Sequence, residues 1–219
     1  SLYGLRDIAY NLDKNRWAKD LNIVVLGEDH KLYFRQVAAA LSLLKEPAPR
    51  AVHYSFVLLA DGKMSTRKGN IVLLEEFMKE LIGKAAKEVK QRNPKLPAAE
   101  TKKLAKVIGY GALKFQVLKV SAEKNVTFDW GTAMSFEGET APYIQYAHAR
   151  IHSVFKKYGK PLPAKADVSL LTEPSEIALI KALAAFPAAA QEAAETLKPH
   201  VLAHAVLHVA EKFNEFYHQ

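Results

Sequence analysis

Residues 22–60 read NIVVLGEDHKLYFRQVAAALSLLKEPAPRAVHYSFVLLA. Two short apolar, β-branched runs, Asn22 to Leu26 and Val52 to Leu59, have the character of buried strands in a parallel sheet. Between them, Lys31 to Leu44 carries apolar residues at helical spacing and stops before Pro47 and Pro49. Strand, helix, strand is the crossover unit of an α/β fold. The spacing predicts a further helix ahead of it, over Tyr3 to Leu12. Two strands cannot by themselves form a parallel sheet covered on both faces, so more of the sheet is expected from residues ahead of Ser1.

Downstream, Asp61 to Asn70 is a polar loop with Gly62 and Gly69 near its ends. The pattern becomes helical over Glu75 to Arg92, breaks at Asn93-Pro94-Lys95-Leu96-Pro97, and resumes over Ala98 to Val120. Phe128 to Gly138 reads as irregular. From Thr140 onward only helices are predicted: Ala141 to Lys157, Pro174 to Phe186, a segment after Pro187, and Pro199 to Tyr217. Nine of the seventeen residues from Ala178 to Ala194 are alanine, the best helix former, which points to closely packed helices rather than low complexity. The expected organisation is an α/β piece over residues 1–139 and an all-α bundle over residues 140–219, mostly helical overall.

At 219 residues and 24.4 kDa the chain has room for one large domain or two small ones. Its 49% hydrophobic and 25% charged residues exclude a disordered chain. It has no cysteine, which removes disulfides, thiolate catalysis and cysteine-ligated zinc, and fits a reducing compartment. Apolar runs such as Phe56 to Ala60 are too short to cross a bilayer, so no membrane partner is expected. The formal charge of +8 is uneven: Gly62 to Lys124 holds 15 basic and 6 acidic residues, a surplus of 9 that leaves −1 for the remainder. Such a surplus is the footprint of a phosphate-bearing partner, and also the ordinary look of a solvated, lysine-rich helix surface.

The loop Lys63-Met64-Ser65-Thr66-Arg67-Lys68 combines three cations with two hydroxyls directly after a predicted strand. Charge building up on a phosphate chain in a transition state needs such cations and donors. Flanking glycines would let the loop close over a substrate. Composition alone equally fits a basic surface turn.

The residue order resembles the Lys-Met-Ser-Lys-Ser signature of class I aminoacyl-tRNA synthetases, in the form Met-Ser-Thr-Arg-Lys-Gly of the arginyl-tRNA synthetases. Tyr3-Gly4-Leu5-Arg6-Asp7 resembles that family's Tyr-x-Thr-Arg-Asp helix start, with Leu5 in place of the usual threonine. Gly27-Glu28-Asp29-His30 with Leu32-Tyr33-Phe34 and Gln36 is similar to its strand end and following helix. Gly138-Glu139-Thr140-Ala141-Pro142-Tyr143-Ile144-Gln145-Tyr146-Ala147-His148-Ala149-Arg150 resembles the entry to its anticodon-binding helices. The likeness runs in order along essentially the whole chain. The family's upstream His-Ile-Gly-His motif has no counterpart here, Thr66 replaces the signature's second lysine, and family members continue beyond Gln219. The resemblance therefore implies an internal piece: the later part of a Rossmann-like catalytic domain, then a truncated helical anticodon-binding domain.

For residues, the resemblance implies that Lys63, Met64, Ser65, Thr66, Arg67 and Lys68 form the catalytic loop. Tyr3 and Asp7, four apart and on one helical face, correspond to the residues that grip the arginine side chain. A carboxylate holds a guanidinium through two parallel hydrogen bonds, although spacing alone equally fits a surface ion pair. His30, at the carboxyl end of a strand, matches a position lining the same pocket. Tyr143, Tyr146, Arg150, Phe213 and Tyr217 match positions that contact the anticodon loop. Unpaired bases stack on aromatic rings and guanidinium planes, whereas the plainer account of such a stripe is helix core. His148 with His152, and His200, His204 and His208, recur every four residues. They lack the carboxylate of a zinc motif and read as packing or surface, so no metal site is expected.

The implied function is that of an arginine–tRNA ligase: ATP, with Mg2+, activates arginine, which then passes to arginine tRNA. The chain by itself is expected to be inactive, cytoplasmic and monomeric. The alternative is a non-catalytic RNA-binding module.

Overall fold

The computed structural model describes residues 2–17, 20–59, 73–162, 165 and 167–218. Loop residues 63–68 lie outside them. The chain divides into two compact units, residues 1–57 with 122–126, and residues 58–121 with 127–219.

The first unit holds α1 (Leu2–Trp17), β1 (Ile23–Gly27), α2 (Lys31–Leu43) and β2 (Arg50–Tyr54). The strands β1 and β2 pair in parallel, with Ile23 opposite Arg50 and Gly27 opposite Tyr54, and α2 is the crossover. Buried Val37 and Leu41 form the inner face of α2. Asn15, on the last turn of α1, donates to the Pro47 carbonyl at 3.0 Å and to Glu46 at 3.3 Å. Val25 is 62% exposed, so one face of the sheet is bare, as expected of two strands alone.

The single strand predicted over Val52 to Leu59 is two. It breaks at Ser55 and Phe56, where both backbone and hydroxyl are engaged elsewhere: Ser55 N–H donates to the Ala122 carbonyl at 2.8 Å and its Oγ to Asn125 at 2.5 Å. The chain resumes as β3 (Val57–Leu59), which pairs with β4 (Val126–Phe128) instead of β1. The stretch expected to be irregular from Phe128 thus begins in a strand and continues as α5 (Trp130–Met134). That short helix starts because Asp129 accepts from the Thr132 N–H at 2.7 Å.

In the second unit, α3 (Leu74–Arg92) and α4 (Ala98–Leu118) form a hairpin. Their seam is Leu81, Ala85 and Val89 against Ala105, Ile108 and Ala112, closed by Phe128 and Met134. A Cβ at Gly109 would stand 3.3 Å from the Ile82 backbone nitrogen, so glycine is what lets the helices approach this closely. The bundle continues with α6 (Ala141–Tyr158), α7 (Pro174–Thr196) and α8 (Pro199–Tyr217). Ala147, Ala210 and Phe213 make a second small core.

One expectation is corrected by α7. Pro187 does not end a helix but sits inside one of 23 residues. Proline removes the N–H that would bond to the Leu183 carbonyl, and Leu183 is 53% exposed, so the weakened turn lies at the surface and not in the core. By length and mean hydropathy alone, 1.3 over 18 residues, α7 is long and apolar enough to cross a membrane, which runs of consecutive apolar residues do not show. Alanine carries that hydropathy, Lys181 interrupts it, and α7 packs along α8.

Candidate functional sites

On the first unit, Asp7 and Tyr33 meet. The Tyr33 hydroxyl, on the first turn of α2, donates to Asp7 Oδ2 at 2.5 Å. This bond, with desolvation and the Asp7 charge behind it, pushes the Tyr33 phenol above the ordinary tyrosine range. Asn11 Nδ2 holds the Asp7 carbonyl at 2.8 Å, fixing that turn of α1. His30 ends the 3-10 turn after β1 and stands edge-on to Tyr33 at 6.3 Å. Its Nδ1 lies 3.0 Å from Asp29 Oδ1, and this hydrogen bond pulls the Asp29 carboxyl below its usual range. Tyr3 is one turn before Asp7 on the same helix, its ring 74% exposed. Asp7, Tyr33 and His30 are thus brought together at the carboxyl end of β1, with the Tyr3 ring open to solvent.

Spacing alone does not single out Tyr33 as a site residue. Its signal is its place three residues after His30, on the helix face turned to α1.

On the second unit, Thr140 sets the start of α6. Its Oγ1 accepts from the Tyr143 N–H at 3.2 Å and donates to the Ser135 carbonyl at 2.6 Å, and the residue is 2% exposed. Pro142 occupies the first turn, where a missing N–H costs nothing. Gly159, at φ +64°, ends the helix in the left-handed conformation.

From α6, Arg150 reaches α8. Its Nη1 donates to Asn214 Oδ1 at 3.1 Å and lies 2.9 Å from His218 Nε2. The guanidinium stands 4.4 Å from the Tyr146 ring centre and 5.0 Å from that of Tyr217. No carboxylate pairs with it among the described residues. Tyr146 and Tyr217 remain nearly half exposed, at 45% and 44%. Phe213 is buried in the α6–α8 core, with Tyr143 packed against it. Three of the four aromatic positions therefore meet Arg150 or a ring beside it: Tyr146 and Tyr217 directly, and Phe213 through Tyr217 at 5.8 Å. Asn214 and His218 complete the cluster, and no sequence signal joins residues 64 and 68 positions away from Arg150.

Among the histidines, His148 and His152 approach to 3.2 Å between Nε2 atoms, and the rings of His200 and His204 stand 6.2 Å apart. Among the described residues, no three His, Asp or Glu side chains converge.

Residues 1–130 match the description "tRNA synthetases class I (R), catalytic domain", and residues 144–219 match "DALR anticodon binding domain". The chain belongs to the arginyl-tRNA synthetase family. It is 44% identical over 218 residues to the arginine–tRNA ligase of Methanocella arvoryzae, covering 99% of this chain and 38% of that protein. The ligase of Methanosphaerula palustris is 40% identical over 218 residues, again 38% of its length. Among solved structures, Thermus thermophilus arginyl-tRNA synthetase superposes with a TM-score of 0.80 and 34% identity, over 91% of this chain and 33% of that one. The Plasmodium falciparum enzyme shares the fold, with a TM-score of 0.73 at 20% identity over 97% of this chain and 37% of that one. The catalytic-domain match covers the first unit and runs on through α3 and α4, and the anticodon-binding match covers α6 from Ile144 onward with α7 and α8. The chain spans less than two-fifths of these relatives.

Proposed function

We propose that this chain works as part of an arginine–tRNA ligase, in which residues 1–139 serve activation of arginine and residues 140–219 read the tRNA. The observation that carries the reading is the Arg150 guanidinium held between Tyr146 and Tyr217 by Asn214, within the segment matching an anticodon-binding domain. A cation without a carboxylate, flanked by half-exposed rings, offers a stacking surface to unpaired bases. Tyr146, Arg150 and Tyr217 are assigned that contact. Tyr143 and Phe213 hold the rings in place from the core beneath.

At the other site, Asp7 takes the arginine guanidinium. Tyr33 occupies one carboxylate oxygen on one side and leaves the other for the ligand, while Tyr3 and His30 line the approach. The arginine carboxylate attacks the α-phosphorus of ATP, and pyrophosphate leaves. Lys63, Ser65, Arg67 and Lys68, with Met64 and Thr66 in the same loop, stabilise the departing phosphates. That loop lies outside the described residues. Mg2+ accompanies the phosphates, and no group of the described residues is assigned to it, since they supply no converging carboxylates. Partners are arginine, ATP and arginine tRNA, in the cytoplasm, with the chain as a monomer.

Pyrophosphate exchange tests the division of labour. With arginine, ATP and arginine tRNA, the 219-residue chain alone is expected to stay at blank. In the full-length enzyme, Asp7→Asn should raise the KM for arginine far more than that for ATP. Exchange by the chain alone, or an unchanged arginine KM, overturns the reading.

A further inference from the structure

The sequence between the two matched segments, residues 131–143, belongs to neither family description. It forms one wall of a cavity of about 550 Å³ whose other wall is α3, within the range of small-ligand pockets. Phe136 is its aromatic element. The Arg92 guanidinium lies 4.1 Å from that ring's centre, and the same ring stands edge-on to Tyr146 with 6.5 Å between centres. Tyr146 in turn carries Arg150. Arg92, Phe136, Tyr146, Arg150 and Tyr217 thus form a continuous run of guanidinium–ring and ring–ring contacts from α3 through the α5–α6 connection and α6 to α8.

We propose that this pocket holds one unpaired nucleotide of the same RNA that stacks at Arg150, next along the strand. The inference rests on the RNA reading above. The side chains supply each part a nucleotide needs. The outer face of Arg92, backed by Phe136, is a stacking plane for a base, because guanidinium planes stack as aromatic rings do. Lys87 is exposed on the pocket wall and makes no ion pair among the described residues, so it meets the phosphate. Lys84 stands beside it, shared with Glu80 at 3.0 Å. Arg92 keeps Glu88 engaged at 3.5 Å, which removes that carboxylate from the phosphate's surroundings. Glu137 is exposed, with its backbone N–H held by Ser135 Oγ at 3.0 Å, and its carboxylate accepts from a base amino group. The occupant is therefore a base carrying an exocyclic amine, cytosine, adenine or guanine, rather than uracil.

The test uses the 219-residue chain and a fluorescent anticodon stem-loop hairpin of arginine tRNA, with copies in which each loop nucleotide in turn is abasic. Anisotropy is read at two salt concentrations for wild type, Phe136→Ala, Lys87→Ala, Glu137→Gln and Tyr146→Ala. The expected results are about a tenfold loss for Phe136→Ala and a salt slope lower by about one for Lys87→Ala. One abasic hairpin should be indifferent to Phe136→Ala yet still sensitive to Tyr146→Ala. If Tyr146→Ala weakens binding while Lys87→Ala and Glu137→Gln bind as wild type, the pocket is not a nucleotide site and the RNA reading stands. If Phe136→Ala and Tyr146→Ala fail on the same abasic position and Lys87→Ala is silent, Phe136 only props Tyr146, and the proposal falls. Should Tyr146→Ala also bind as wild type, the RNA reading fails with it. Circular dichroism checks folding of Phe136→Ala; if that variant unfolds, Lys87→Ala and Glu137→Gln decide the matter.

Discussion

The Tyr33 hydroxyl and the Asp7 carboxylate are joined across 2.5 Å, which ties the start of α2 to α1 and leaves Asp7 Oδ1 without a hydrogen bond among the described residues. A carboxylate anchored on one oxygen keeps a fixed direction for the other. The consequences are measurable in pH and in binding.

Tyr33 should ionise later than an ordinary tyrosine, because the phenol must stay protonated to donate to Asp7. Its folded-state value is raised, so its contribution to stability is complete below the ordinary tyrosine range and is lost as pH rises through the raised value. Ultraviolet titration should show one late phenol that disappears in Tyr33→Phe and shifts earlier in Asp7→Asn. A spectrum unchanged by Asp7→Asn contradicts the pairing.

Thr140 closes the first turn of α6, and its side chain is buried with both hydrogen-bonding directions used. Thr140→Ala should cost about 1–2 kcal/mol in urea unfolding, and Thr140→Ser should recover most of it. Equal losses for both would mean that the methyl group, not the cap, matters.

Asn214 is 8% exposed and accepts from a charged donor. Hydrogen bonds to charged groups contribute about 1.5–3 kcal/mol, so Asn214→Leu should lose stability in that range and free the Arg150 side chain. RNA affinity should fall alongside. Full affinity in a destabilised variant would separate Arg150 positioning from RNA binding.

In the full-length enzyme, Lys63→Ala should slow adenylate formation far more than it weakens arginine binding, since the cation acts on charge that develops in the transition state. Single-turnover activation at the wild-type rate with weakened arginine binding would contradict that role.

The helices were legible because each carries a local signal: alanine in α7, the Thr-Ala-Pro start of α6, the apolar spacing of α3 and α4. The parallel pair β1–β2 was legible from its apolar runs. The break at Ser55 was not, because Ser55 and Phe56 turn away to meet Ala122 and Asn125, about seventy residues on, and local propensity carries no record of such partners. Pro187 has a related cause: its lost hydrogen bond and ring clash weaken one turn, and whether the helix continues depends on tertiary packing that local sequence does not record. At the candidate sites, Asp7, His30, Tyr143, Tyr146 and Arg150 follow from motif order, since the spacing of the last three alone equally fits a helix core. Asn214, His218 and Phe136 emerge only where separate elements pack together.

The central claim is that the helical part meets RNA through Arg150 between Tyr146 and Tyr217. The most direct test titrates the chain with arginine tRNA and with an anticodon-swapped copy, at two salt concentrations, for wild type and Tyr146→Ala. The account predicts tighter binding of arginine tRNA by wild type and a loss of about 1–3 kcal/mol, with most of that preference, in Tyr146→Ala. Equal affinity for the two RNAs, unaltered by Tyr146→Ala, would contradict it and leave these rings as helix packing.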